Sequence, residues 1–131
     1  MFIDASALIA VMTEEDDAAT LFMRMDDADV RVVSAAVVWE VIVNLARNPD
    51  LSIQSARYEL KIFLEEFDIQ IVPIPPEAGF AAVDAFERFG KGRHPASLNF
   101  GDCLSYGCAK ALSLPLLFKG NDFGLTDVNT V

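Results

Sequence analysis

The chain has 131 residues, 53% of them hydrophobic, and carries 20 acids against 10 Lys and Arg for a formal net charge of −10. Such apolar content excludes a disordered chain, which lacks the buried surface needed to offset ordering entropy, and the length suits one domain over residues 1–131, since a single core serves ~100–200 residues. No apolar run reaches the ~18–20 residues that span a bilayer, and residues 1–16 lack the basic stretch that leads a secretory signal, so a cytoplasmic protein with no membrane partner is expected.

The first four residues, Met1 to Asp4, read as a short buried strand ending in an acid. Ser6 is expected to cap a helix over Ala7–Met12. A second helix is predicted from Glu14 to Ala28: its leading acids complement a helix N-terminus, and Ala18, Leu21, Phe22 and Met25 form an apolar face. Val30–Val33 reads as a strand, after which Ser34 caps a helix that runs to about Asn48, where Asn-Pro stops it. Ser52 opens another amphipathic helix with Ile53, Ala56, Leu60, Phe63, Leu64 and Phe67 inward. Ile69–Val72 reads as a strand, Pro76–Phe89 as a helix, Gly90–Leu98 as a loop, Asn99 to about Leu112 as a helix and Leu116–Phe118 as a last strand. Strands alternating with helices imply crossover connections and a mainly parallel sheet, hence an α/β fold. In such sheets ligands lie beyond the carboxyl ends of the strands, where Asp4, Asn121 and Asp122 fall.

Cys103 and Cys108 are five apart in one predicted helix and so point roughly 140° apart around it. They cannot bond to each other without breaking that helix, and both read as small core residues.

Each acid has an ordinary explanation. Asp4 can cap a helix, Asp102 can complement the dipole of its helix, and Asp122 can belong to an Asx-type turn after Gly120. Glu40 borders the apolar stripe Val37, Val38, Val41, Ile42 and Leu45, where a carboxylate is costly unless paired or bound to a metal. The joint placement carries more than any one of them. Asp4-Ala5-Ser6-Ala7-Leu8 follows the first strand, and Glu40 lies on the third helix. Leu98-Asn99-Phe100-Gly101-Asp102-Cys103 then precedes Leu117-Phe118-Lys119-Gly120-Asn121-Asp122-Phe123 and Thr126-Asp127-Val128. In order and spacing, over essentially the whole chain, these blocks resemble the PIN-domain ribonucleases, most of all the VapC-type toxins of bacterial toxin–antitoxin pairs.

The resemblance implies a three-layer α/β/α sandwich around a mainly parallel sheet. It implies that Asp4, Glu40 and Asp102 are the core metal-binding acids, with Ser6 supporting Asp4 by hydrogen bonding. The family's fourth acid falls in the Gly120–Phe123 turn, where relatives often have two successive Asp residues. Here the first of these is Asn121, which leaves Asp122 as the expected ligand, Asn121 as an alternative through its neutral amide, and Asp127 as a remote further candidate. A homodimer and a VapB-like antitoxin, whose basic segment reaches the acidic pocket, are also implied.

The chemistry agrees with that set. Cleaving a phosphodiester requires a nucleophilic water and compensation of charge on the phosphate oxygens. His94 is the chain's one histidine, so a histidine-pair ribonuclease is excluded within a single chain. Carboxylates holding Mg²⁺ (or Mn²⁺) meet both needs, whereas a Cys/His zinc cluster is absent. The acidity that argues against an RNA partner then reads partly as a cation site that inverts the local field. Lys91, Arg93 and Lys119 are candidates for RNA backbone contacts, with Arg88 and His94 nearby; for Arg88, complementing a helix C-terminus serves equally well. Trp39 and Val43 lie opposite the core stripe of their helix, which implies either an interface, as a dimer seam or antitoxin groove, or packing against the Ser52–Phe67 helix. Two rival readings are a catalytically silent acidic module that binds a protein partner and a metal-dependent phosphatase; the lack of Asp-x-Asp after the first strand counts against the latter.

Overall fold

The structure, a computed structural model, describes residues 1–131. Four strands, β1 (Phe2–Ile3), β2 (Arg31–Ser34), β3 (Ile69–Val72) and β4 (Leu116–Leu117), alternate with six helices. These are α1 (Ala5–Met12), α2 (Ala18–Asp26), α3 (Ala35–Leu45), α4 (Ile53–Glu66), α5 (Pro76–Phe89) and α6 (Phe100–Ala111), and a turn of 3-10 helix covers Phe123–Leu125. The sheet has the order β3-β2-β1-β4 with every pairing parallel. Parallel neighbours need long crossovers, and each gap between strands holds a helix pair. Right-handed crossovers put α1 to α4 on one face and α5 and α6 on the other. The packing of α1 on α2 and α3, of α3 on α4 and of α5 on α6 agrees with this three-layer arrangement.

Strands β1, β2 and β4 are apolar on both faces because helices cover both: Phe2, Ile3, Val32, Val33, Leu116 and Leu117 are all buried. The helix pair α5 and α6 packs closely enough that a methyl on Gly107 would meet the Ala78 carbonyl oxygen at 2.2 Å. Cys103 and Cys108 are both free and buried, as their spacing on one helix requires. No helix is long and apolar enough to cross a membrane.

Most elements fall where the sequence places them, with three corrections. Asp4, not Ser6, caps α1, so the helix starts two residues earlier, at Ala5. The acids from Glu14 to Asp17 do not open α2; Glu14 adopts a left-handed φ of 54° that ends α1, and the acids form the turn before α2 starts at Ala18. Trp39, 67% exposed, is not packed against α4; on the same helix it is Val38 and Ile42 that line a small cavity with Leu60 and Leu64 of α4.

The chain leaves β1 toward β2 and β3 and later returns to β4 on the opposite side of β1. Between β1 and β4 lies the switch point at which such sheets open a crevice beyond their carboxyl ends.

Candidate active site

Asp4 follows β1 directly and is only 3% exposed. The Ser6 backbone N–H donates to Asp4 Oδ2 at 2.9 Å, and the Ser6 hydroxyl donates to the same oxygen at 2.6 Å. The N-cap geometry that starts α1 thus fixes the carboxylate and leaves Oδ1 for a ligand. Ser6 Oγ in turn accepts from the Lys119 N–H at 3.1 Å, which ties the segment after β4 to the one after β1. Gly120, with φ of 96°, then turns the chain into Asn121 and Asp122; the left-handed region suits glycine.

Asp102 arrives from the other face of the sheet. It sits in the first turn of α6, within a reciprocal capping box: Asn99 N–H donates to Asp102 Oδ2 at 2.8 Å, and Asp102 N–H donates to Asn99 Oδ1 at 3.1 Å. Glu40 reaches the same place from α3. Its Oε2 lies so near the start of α6 that a Cβ on Gly101 would come within 2.7 Å of it. The glycine is therefore the gap through which Glu40 approaches Asp102.

The electrostatics couple these groups. Asp102 is pushed up to about 6, first by burial and then by the charges of Asp4 and Asp122, against the opposing Asn99 hydrogen bond. Glu40 is also raised, by burial first and then by Asp4 and Asp102, with Arg47 acting the other way. Buried carboxylates further raised by the charge of neighbouring acids form an unfavourable cluster of negative charge, a condition a cation relieves. As placed, no three His, Cys, Asp or Glu side chains are close enough to share an ion, so the cluster is loose rather than a preformed cage. Its donors are hard oxygens with no soft ligand among them, and Asp4 and Asp102 each have one carboxylate oxygen committed to hydrogen bonds and the other available. That donor set fits Mg²⁺ or Mn²⁺.

The remaining candidates divide. Asn121 and Asp122 are both exposed on the turn after β4, and Asp122 is the one whose charge reaches Asp102. Lys119 is engaged by two carboxylates of the turn before α2, since its ammonium pairs with Glu15 and lies 3.3 Å from Asp17 Oδ1. Lys91 and Arg93 are exposed in the Gly90–Leu98 loop, with the Arg93 guanidinium 5.1 Å from the centre of the Phe86 ring. His94 is used locally, its Nδ1 accepting from Ala96 N–H at 3.1 Å. Asp127 stands apart from the cluster: Tyr106 donates to its Oδ1 at 2.6 Å and Arg88 donates twice to its Oδ2 at 3.1 Å. Two contributions were missed in the sequence, the Gly101 gap and the action of Arg47 on Glu40. A glycine directly before an acid was the available signal for the first. The second was readable from the expected helix to about Asn48, in which Glu40 and Arg47 are seven apart on one face; in the structure Arg47 lies in the turn just past α3.

A parallel sheet with acids from three elements gathered beyond its switch point defines a three-layer α/β domain with an acidic crevice at the carboxyl ends of its strands. Residues 1–129 match the family model described as the PIN domain. The chain is 40% identical over 131 residues to the Ribonuclease VapC of Mycolicibacterium smegmatis, covering 100% of this chain and 99% of the relative. It is 44% identical over 129 residues to the Ribonuclease VapC28 of Mycobacterium tuberculosis, covering 98% and 95% respectively. Among solved structures, that of Mycobacterium tuberculosis VapC20, described as a sarcin–ricin-loop-cleaving toxin, superimposes with a TM-score of 0.75, covering 99% of this chain and 97% of that one. At 16% identity that likeness shows the fold. The chain belongs to the PIN-domain family, within its VapC ribonucleases. That membership favours the nuclease reading over a silent binding module.

Proposed function

We propose that this chain is a divalent-metal-dependent endoribonuclease that hydrolyses RNA with an activated water, acting as the toxin of a toxin–antitoxin pair. The observation that carries the mechanism is the gathering of acids at the switch point: Asp4 held by Ser6 after β1, Asp102 held by Asn99 at the start of α6, and Glu40 from α3 reaching the gap at Gly101. Asp4 and Asp102, each with one free carboxylate oxygen, would hold Mg²⁺ or Mn²⁺, with Glu40 as the third acid of the set. A bound ion supplies positive charge against the phosphate oxygens and makes water more acidic. Asp122 orients the attacking water, which gives a proton to solvent as its oxygen bonds to phosphorus; the ester P–O bond breaks and the leaving oxygen takes up a proton from solvent. Ser6 holds Asp4 in one rotamer throughout. The Asn121 amide serves that turn without adding a charge.

The test is cleavage of RNA by purified protein in Mg²⁺ or Mn²⁺. Asp4→Asn is expected to lower the rate by at least about 100-fold, since one charged ligand is lost from a cluster that acts as a unit. Unchanged metal-dependent cleavage by that variant would sink the proposal.

RNA also needs cations along its backbone. With Lys119 occupied by Glu15 and Asp17, that role passes to Lys91 and Arg93, which are exposed. Reversing both charges should weaken RNA binding several-fold at low salt and little at high salt; equal affinity at low salt would remove the loop from the reading. A VapB-like antitoxin and a homodimer are the proposed protein partners. Phe80, Val83 and Phe86, left exposed along α5, support a protein–protein contact of some kind, and co-purification and sedimentation would test each partner separately.

A further inference from the structure

Alongside the acids runs a groove of about 620 Å³ between the outer face of α3 and the start of α6. Glu40 forms one wall, and the others include Trp39, Asn44, Arg47, Asn99 and Phe100. Trp39 is 67% exposed and Phe100 81% exposed, so two large aromatic rings stand in water within the groove that contains a catalytic acid. A folded chain gains nothing from such exposure, and both rings offer a π-face to a visitor. Arg47 takes part in none of the six ion pairs of the structure, yet lines the same groove as Glu40. It is an available cation beside the acids. Asn99 spends its carbonyl on the helix cap and keeps its amide NH₂ for a ligand.

Aromatic faces, a free guanidinium and amide donors together match single-stranded nucleic acid, whose bases stack while its backbone seeks cations. They match a protein partner less well. The neighbouring groove between α5 and α6, lined by Ala82, Val83, Phe86, Cys103 and Leu104, is nearly all apolar and lacks a cation. Phe100 stands on the ridge between the two grooves, whereas Trp39 belongs to the first alone. We infer that Trp39 and Phe100 form a stacking subsite for unpaired bases next to the scissile phosphate, with Arg47 pairing a backbone phosphate of the same strand. The inference rests on the ribonuclease reading and adds to it the residues that grip the strand beside the acids, since duplex bases cannot reach the two rings.

Trp39 is the chain's one tryptophan, so its fluorescence reports this groove alone. The full chain carrying Asp4→Asn, which keeps RNA intact, would be titrated with a short single-stranded RNA oligonucleotide and with the same sequence as a duplex. Strong quenching by the single strand and little by the duplex is expected. In the otherwise unaltered enzyme, Trp39→Ala and Phe100→Ala should each raise KM about tenfold with kcat nearly kept, since stacking on one ring contributes roughly that factor, and Trp39→Phe should recover most of the loss. Equal KM values for Trp39→Ala, Phe100→Ala and the unaltered enzyme would overturn the subsite. So would a blue shift of Trp39 emission with protein concentration alone, which would give the groove to a second copy. If the unaltered enzyme cleaves no RNA, or Asp4→Asn cleaves as well as it does, the ribonuclease reading itself fails. Normal cleavage indifferent to both rings sinks only the subsite.

Discussion

The site depends on single atoms at its margins, and Gly101 is the sharpest case. A glycine before Asp102 leaves room beside the backbone of the first helical turn. The room is in fact taken by Glu40, whose Oε2 would lie 2.7 Å from a Cβ at that position. No single-residue reading could have paired these two, because they are 61 positions apart and meet only through the packing of α3 on α6. Gly101→Ala therefore separates fold from function. Alanine suits the first turn of a helix better than glycine by up to ~1 kcal/mol, and the atom it displaces is the mobile end of a glutamate. Thermal stability is expected to hold or rise slightly. Cleavage should fall about tenfold or more, and the Mg²⁺ requirement should increase, because misplacing a catalytic group by about an ångström is enough for that loss. Normal activity in a stable Gly101→Ala protein would show that Glu40 works from another position.

At the scale of elements, what could be read from the sequence was what repeats along it. Helix periodicity located α3 to α6 well, and Ser34, Ser52 and Asn99 cap their helices as expected. What failed were segments with two local solutions. The acids from Glu14 to Asp17 suit a helix N-terminus, but Glu15 and Asp17 turn instead to Lys119, 104 residues away from Glu15. Asp127 was ambiguous for the same reason. It looked like a spare metal ligand, yet its partners are Tyr106, Arg88 and Lys110, and they fasten the C-terminal segment to α5 and α6. Tyr106 is buried and its hydroxyl is committed to Asp127, so Tyr106→Phe should cost about 1–2 kcal/mol, mostly by leaving the carboxylate short of a donor. The expected result is a fall of several degrees in Tm with metal-dependent cleavage retained. Loss of cleavage in a folded Asp127→Asn protein, with metal affinity reduced, would return Asp127 to the active site.

For the molecule as a whole, an excess of ten negative charges is tolerable because part of it is gathered where an ion can answer it. This makes stability depend on pH and metal together. Asp102 is raised from 3.8 to about 6 in the folded protein, and Glu40 moves in the same direction. Between about pH 6 and 4 the native state thus binds more protons than the unfolded chain, and stability increases as pH falls through this window. The gain is fully present below the unfolded value and is lost as pH rises through the folded one. Asp127 has the opposite sign: its pKa is lowered by the Tyr106 and Arg88 bonds, so its contribution is present above 3.8 and disappears on further acidification. Metal-free protein should consequently be most stable near pH 4–5, exceeding its stability at pH 7.5 by about 1–2 kcal/mol once solvent screening is allowed for. On the proposed reading Mg²⁺ would bind the ionised acids, so its stabilisation by mass action should be large at pH 7.5 and small at pH 5, flattening the profile. Thermal unfolding at the two pH values, with and without Mg²⁺, measures all four quantities. Asp102→Asn should remove most of both the acid gain and the Mg²⁺ effect. A metal-free Tm that falls steadily from pH 7.5 to 5 would mean that the four acids do not repel one another as their placement requires.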